Sequence, residues 1–289
     1  MKLAIFSHCA MDTITINNYN YEQIGGPACY CGITARQFKF DVDLITKFGS
    51  DFPKQYLSEH KINFVNSESE KSTTKFTISI NGSDRTLKLE NECESIDYSS
   101  VDADGHIVNP IYHEISDDTF RKIKSDSNFL FVDPQGFLRQ KDSQNYIVLK
   151  NTNLDLSNVN AIKVNPEEAQ QIVNGSHDEM MLALQKKGIE YVLLTNKTDV
   201  SLLVKDKIYS IILPNKQIHD TTGIGDIFCS AFCCTMLKEK DFLWALCFAG
   251  GAVQAALDSK SVGLQKIPRK GIIQTNASYF YNLLKFRDL

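Results

Sequence analysis

The stretch Asp220-Thr221-Thr222-Gly223-Ile224-Gly225-Asp226 carries an acid at each end of a glycine-rich turn. Ile227, Phe228, Ala231, Phe232, Met236 and Leu237 follow at helical spacing, so the turn runs into the start of a helix. Backbone N–H groups there have no intrahelical partner, and the helix dipole adds partial positive charge. Gly223 and Gly225 carry no side chain, which lets an anion approach their amides closely. Asp226 stands beside that anion and can accept a proton. An anion cradle next to a base is what phosphoryl transfer to a hydroxyl requires. Without a ligand, the same pattern is an ordinary helix behind a loop.

Near the other end, Gly25-Gly26-Pro27-Ala28-Cys29-Tyr30 opens an apolar segment that continues through Ile33, Ala35 and Phe38. A lone Gly-Gly pair is usually just a turn. In this order, and at opposite ends of a 289-residue chain, the two motifs resemble the two signatures of the ribokinase family, the PfkB-type carbohydrate kinases. The resemblance implies that Asp226 is the catalytic base and that Gly223, Ile224 and Gly225 supply the anion-hole amides, with Thr222 on the donor side. Ile224 stands where alanine is usual, a change the turn tolerates because the backbone does the binding. Gly25, Gly26 and Tyr30 would line the acceptor site. Tyr30 replaces the usual Asn, offering an aromatic face and one phenol instead of an amide. That departure bears on acceptor specificity, not on kinase chemistry.

Smaller features extend the resemblance. Asp12 follows the first apolar run and would hold acceptor hydroxyls, although such an Asp taken alone is usually a turn residue. Asn165-Pro166-Glu167-Glu168 would place Asn165 toward the phosphates and Glu168 near Mg²⁺; taken alone it is a helix start with acids in its first turn. Thr195 would meet the nucleotide. Lys197, where the family has glycine, either contacts a phosphate or is simply solvated. Gly250, Gly251, Ala252, Ala255 and Ala256 form a small-residue helix face, with Ala252 under an adenine ring or under another helix. The segments 109–115 and 132–139 each follow a strand-like run, at the sheet end where α/β proteins bind ligands. There Gln135 and Arg139 would meet acceptor or transferred phosphate, or merely form loops.

Elements able to position these groups are legible. Apolar runs at 3–6, 42–45, 107–108, 129–132, 161–164 and 191–194 read as strands. Helical patterns lie near 27–38, 52–59, 117–125, 166–173, 178–187, 224–238, 241–257 and 270–286. Such alternation predicts an α/β fold, a mostly parallel sheet with helices on both faces. One region departs from it. Residues 75–80 alternate with period two, Asn81-Gly82 is a hairpin signal, and Leu87 and Leu89 alternate again. With 13–21 these residues predict a small β lid, formed by about 13–21 and 73–92, on a single kinase domain spanning 1–289. Its apolar face and open edge suggest a homodimer in which two lids pair.

Composition narrows the class. The net charge is −4 with no Lys/Arg block, which argues against nucleic-acid binding. The longest apolar run, 242–257, is broken by Gln254 and too short for a membrane span. Eight scattered cysteines without a Cys-x-x-Cys pair read as free thiols of a cytoplasmic protein. No Gly-x-x-x-x-Gly-Lys-Ser/Thr run exists, so this is not a Walker-type NTPase. The expectation is an ATP- and Mg²⁺-dependent kinase acting on a hydroxyl of a small sugar, polyol or nucleoside, with a monovalent cation left open as a further cofactor. The alternatives are an inositol or nucleoside kinase of the same family, a vitamin-type kinase on the same fold, or a catalytically silent sugar-binding relative.

Overall fold

The computed structural model describes residues 1–16, 19–81, 84–214 and 220–289. Gly82 of the predicted hairpin turn lies outside the described residues. β1 (Lys2–Phe6) opens the chain, which leaves the main sheet for β2 (Ala10–Ile16) and β3 (Tyr19–Gly25). It returns through α1 (Pro27–Gln37), β4 (Asp41–Ile45), α2 (Gln55–Glu59) and β5 (Ile62–Phe64), then leaves again for β6 (Lys75–Asn81) and β7 (Asp84–Asn91). β8 (Gly105–Val108), α3 (Asp117–Asp126), β9 (Leu130–Val132) and the single turn α4 (Gln135–Leu138) precede a short hairpin, β10 (Arg139–Lys141) and β11 (Ile147–Leu149). Next come β12 (Ala161–Val164), α5 (Pro166–Gln170), α6 (His177–Gln185), β13 (Tyr191–Asn196), β14 (Asp199–Val204) and β15 (Lys207–Ile212). α7 (Ile224–Glu239), α8 (Phe242–Leu257), α9 (Lys270–Leu283) and β16 (Lys285–Asp288) end the chain.

Ten strands make one sheet in the order β16-β15-β14-β13-β12-β9-β8-β1-β4-β5. It is parallel from β13 to β5 and antiparallel beyond β13. Strands buried on both faces are near-continuous apolar runs, and β8, β9 and β12 are buried at every residue. One core cluster lies under α1, α7, α8 and α9 and the other under α3 and α6. All six runs read as strands lie in this sheet. The helix expected over 270–286 stops at Leu283, because Phe286 pairs across the sheet edge with Tyr209. Among the described residues, no helix is long and apolar enough to cross a membrane.

The lid is a four-stranded sheet, β3-β2-β6-β7. Its strands run further back than the sequence indicates, to Ala10 and Gly25, so Asp12 lies on a strand and not in a turn. Ile14, Phe76, Ile78 and Leu89 are buried with Ile111 and Tyr112 of the β8–α3 loop. Part of the lid's apolar face is thus covered within the chain, while Ile16, Tyr21, Ile80 and Leu87 stay partly exposed. What remains for a second copy is that exposed part and the β3 edge, where Tyr19 is 79% exposed.

Candidate active site

β1, β8, β9 and β12 are parallel neighbours, so the loops after them emerge on one edge of the sheet, as the ligand sites of open α/β sheets do. A cleft of about 250 Å³ opens there beneath the lid. Asp12, Ile78, Arg85 and Leu87 line it from the lid, Gly26 and Tyr30 from the start of α1, and Thr222, Gly223, Gly225 and Asp226 from the start of α7. Gln135, Arg139, Asp133, Lys163, Asn165 and Glu168 complete the wall.

The glycines are required by space. Gly223 caps α7 at φ 76°, and a Cβ there would lie 2.4 Å from Tyr30 Cε1. Gly26 has φ 81°, and a Cβ would lie 2.6 Å from the His8 carbonyl oxygen. The Ile224 N–H already donates to the Thr221 carbonyl at 3.3 Å. Of the three amides assigned to the anion hole, those of Gly223 and Gly225 therefore stay open among the described residues.

Asp226 is held by a chain of side chains. Arg139 Nη2 donates to Gln135 Oε1 (2.7 Å), Gln135 Nε2 to Asn109 Oδ1 (2.9 Å), and Asn109 Nδ2 to Asp226 Oδ1 (2.9 Å). Gln135 and Arg139, expected to touch acceptor, thus also orient the Asp226 carboxylate. Burial, with the nearby charge of Asp133, pushes the Asp226 carboxyl up to about 6. Burial likewise raises Asp12, which accepts the Phe76 N–H, to about 7. A base must be ionised to accept a proton, so kcat/KM should fall as pH drops through about 6 and level off above it. A pH–rate profile checks this; a flat profile down to pH about 4.5 would assign the proton transfer to another group.

On the donor side, Lys163 Nζ lies 2.7 Å from Asp133 Oδ2 and 4.0 Å from Glu168 Oε2. Burial opposes the charge on Lys163, but the two carboxylates outweigh it and raise the group. Asn165 and Glu168 cap α5 reciprocally, Glu168 N–H to Asn165 Oδ1 at 2.8 Å and Asn165 N–H to Glu168 Oε2 at 2.9 Å. Burial raises the Glu168 carboxyl despite Lys163.

Five assigned residues do not line the cleft: Ile224, Gly25, which packs behind the Asp12 carboxylate, and three that lie further off. Thr195 donates to the Val164 carbonyl at the end of β13, and Lys197 is exposed in the β13–β14 turn. Ala252 is fully buried in α8, whose neighbouring Gly251 packs on the backbone of Ile273 and Ala277 in α9. The small-residue face seats a helix. Asp133, Lys163 and Arg85 of the cleft wall, and Asn109 behind Asp226, were given no role from sequence. Asn109 and Asp133 each directly follow a buried strand, inside the two segments that the sequence places at the ligand-binding edge, where only Gln135 and Arg139 were given roles. Lys163 is a charge inside an apolar strand, which demands a partner. For Arg85 the sequence carries no signal.

The cleft, the open glycine amides and the held Asp226 carboxylate suit phosphoryl transfer to an alcohol, the reaction class of the family that the sequence matches. The sequence matches the pfkB family carbohydrate kinases over residues 7–268, and the chain belongs to that family. A search of curated proteins finds no match. Among solved structures, a pyrophosphate-dependent kinase of the ribokinase family superposes with a TM-score of 0.82 at 19% identity, covering 92% of this chain and 99% of its own. Ribokinase from Arabidopsis thaliana, complexed with ribose and ATP, gives 0.74 at 14% identity over 96% of this chain and 98% of that one. A nucleoside kinase from Methanocaldococcus jannaschii gives 0.72 at 16% identity, covering 96% and 99%. The fold is ribokinase-like.

Proposed function

We propose that this kinase transfers the γ-phosphoryl group of ATP to a hydroxyl of a small sugar, polyol or nucleoside bound beneath the lid. The observation that carries this reading is the hydrogen-bonded chain from Arg139 to Asp226, which aims an elevated carboxyl at the mouth of a two-amide cradle. Asp12, with Gly26 and Tyr30 beside it, would bind acceptor hydroxyls. Asp226 would take the hydroxyl proton as the bond to phosphorus forms. The Gly223 and Gly225 amides would take up charge on the transferring phosphoryl oxygens.

Among the described residues no three metal-binding side chains come together. Magnesium in such sites keeps several waters and needs only one or two carboxylates besides the phosphates. Glu168 and Asp133 on the donor wall fit that need and would hold it, where it would neutralise phosphate charge. Inorganic pyrophosphate is the second reading of the donor. It is favoured by the full burial of Ala252 in α8, beside Gly251 packed on α9, which leaves no open surface for an adenine there, and by the pyrophosphate-dependent kinase among the similar structures.

The test is a screen of ATP and pyrophosphate against pentoses, hexoses, inositol and nucleosides, scored by phosphorylated product. Product with a single donor selects between the readings. Tight binding of an acceptor without product from either donor would mark a silent binding relative.

A further inference from the structure

The foot of the cradle holds a buried ion pair for which the reaction described above has no use. Lys266, at the end of a 3₁₀ turn spanning Gly263–Lys266, donates from Nζ to both Asp220 Oδ2 (2.9 Å) and the Asp220 carbonyl (3.2 Å). The side chains are 1% and 3% exposed. Asp220 Oδ1 accepts the Thr222 N–H at 2.8 Å, and Oδ2 also accepts the Gly263 N–H at 3.4 Å. The ammonium lies 5.9 Å from the centroid of the Tyr30 ring, whose face is what Gly223 packs on. Lys266 itself does not line the cleft.

A buried ion pair is a poor source of stability, since desolvation offsets most of the attraction. Its effect here is geometric. Asp220 fixes the Thr222 amide, and the next residue is the αL cap Gly223, which lines the cleft. A carboxylate and a carbonyl oxygen converging under an aromatic ring are also hard donors of the kind that take a small cation. We propose that Lys266 is a positioning residue for phosphoryl transfer, a tethered ammonium that holds the anion-binding turn from below in place of a monovalent cation. Turnover is then indifferent to potassium or sodium. This rests on the kinase reading above, and the test separates the two.

Melting temperature and, with an accepted substrate pair, kcat and KM are measured in potassium, ammonium and tetramethylammonium salts at equal ionic strength. The wild type should change less than about twofold in kcat across the three. Lys266→Ala should lose about tenfold or more in kcat in tetramethylammonium, with acceptor KM little changed. Potassium or ammonium should raise both its kcat and its melting temperature, because an ion that binds only the folded site stabilises it. Lys266→Arg should keep part of the activity without added ion. Wild-type activation by potassium, or a Lys266→Ala protein indifferent to every cation, overturns the proposal. If Lys266→Ala does not fold, Asp220→Asn/Lys266→Met, which buries no charge, replaces it; wild-type kcat in that protein overturns the proposal too. The thermal shift needs no substrate, so it decides the cation question even if no acceptor is phosphorylated.

Discussion

Asp226→Asn should lower kcat by about 10²-fold or more while leaving the protein more stable at neutral pH than the wild type. The first half follows from losing the proton acceptor at the cradle. The amide oxygen of Asn can still accept from Asn109 Nδ2, so the Arg139–Gln135–Asn109 chain has no reason to collapse. The second half follows from the raised carboxyl. A group whose pKa climbs from 3.8 to about 6 on folding favours the folded state only while protonated. That advantage is lost as pH rises through about 6, leaving a cost of about 3 kcal/mol above it. Replacing the ionised group removes the cost. The melting-temperature gap between variant and wild type should be widest near pH 8 and should close below pH about 4. A variant with wild-type turnover removes Asp226 from the role of base. A variant with low turnover but no gain at pH 8 leaves the base in place and refutes the strained, buried carboxyl. Activity bought with stability in this way is common at catalytic sites.

The parts read from sequence were those whose local physics decides their structure. Buried parallel strands are near-continuous apolar runs, so β1, β9 and, despite Lys163, β12 announce themselves. Gly223 and Gly26 are fixed by backbone conformation and close approach, so a local pattern of glycines marks them. What escaped reading depends on contacts distant in sequence. Asn109 matters because it meets Asp226 across 117 positions, and Lys163 because Asp133 lies beside it. β16 forms because a neighbouring edge accepts it, a fact the last residues alone do not carry. Tyr30 is the instructive case. Its departure from the family's Asn suggested a change in acceptor contacts, yet its ring is 1% exposed and fills the space between Gly223 and the Lys266 ammonium. The substitution therefore belongs to the support of the cradle as much as to the acceptor wall.

Lys163→Met should be the most damaging single change in stability, and its repair should separate structure from chemistry. The side chains of Lys163 and Asp133 are 9% and 1% exposed, and their charged atoms lie 2.7 Å apart. Removing the ammonium leaves Asp133 as an uncompensated buried carboxylate, with Glu168 close by. Losing one partner of a buried pair costs about 3–5 kcal/mol, which lowers the melting temperature of a chain this size by roughly 10 °C. Asp133→Asn added to Lys163→Met removes the stranded charge, and most of that loss should return. Turnover should not return with it. Lys163 Nζ lies 3.3 Å from the position a Cβ would take on Gly225, so its charge faces the turn where the transferred phosphoryl would sit. Losing a charge that stabilises the transition state costs about 10²-fold or more in kcat. The double variant should therefore melt near the wild type and remain slow. A double variant that recovers both would make Lys163 a structural counter-ion only. Asp133→Asn alone, which removes a carboxylate proposed for magnesium but keeps Lys163, should turn over faster than the double variant, and equal turnover would assign the loss to Asp133 instead.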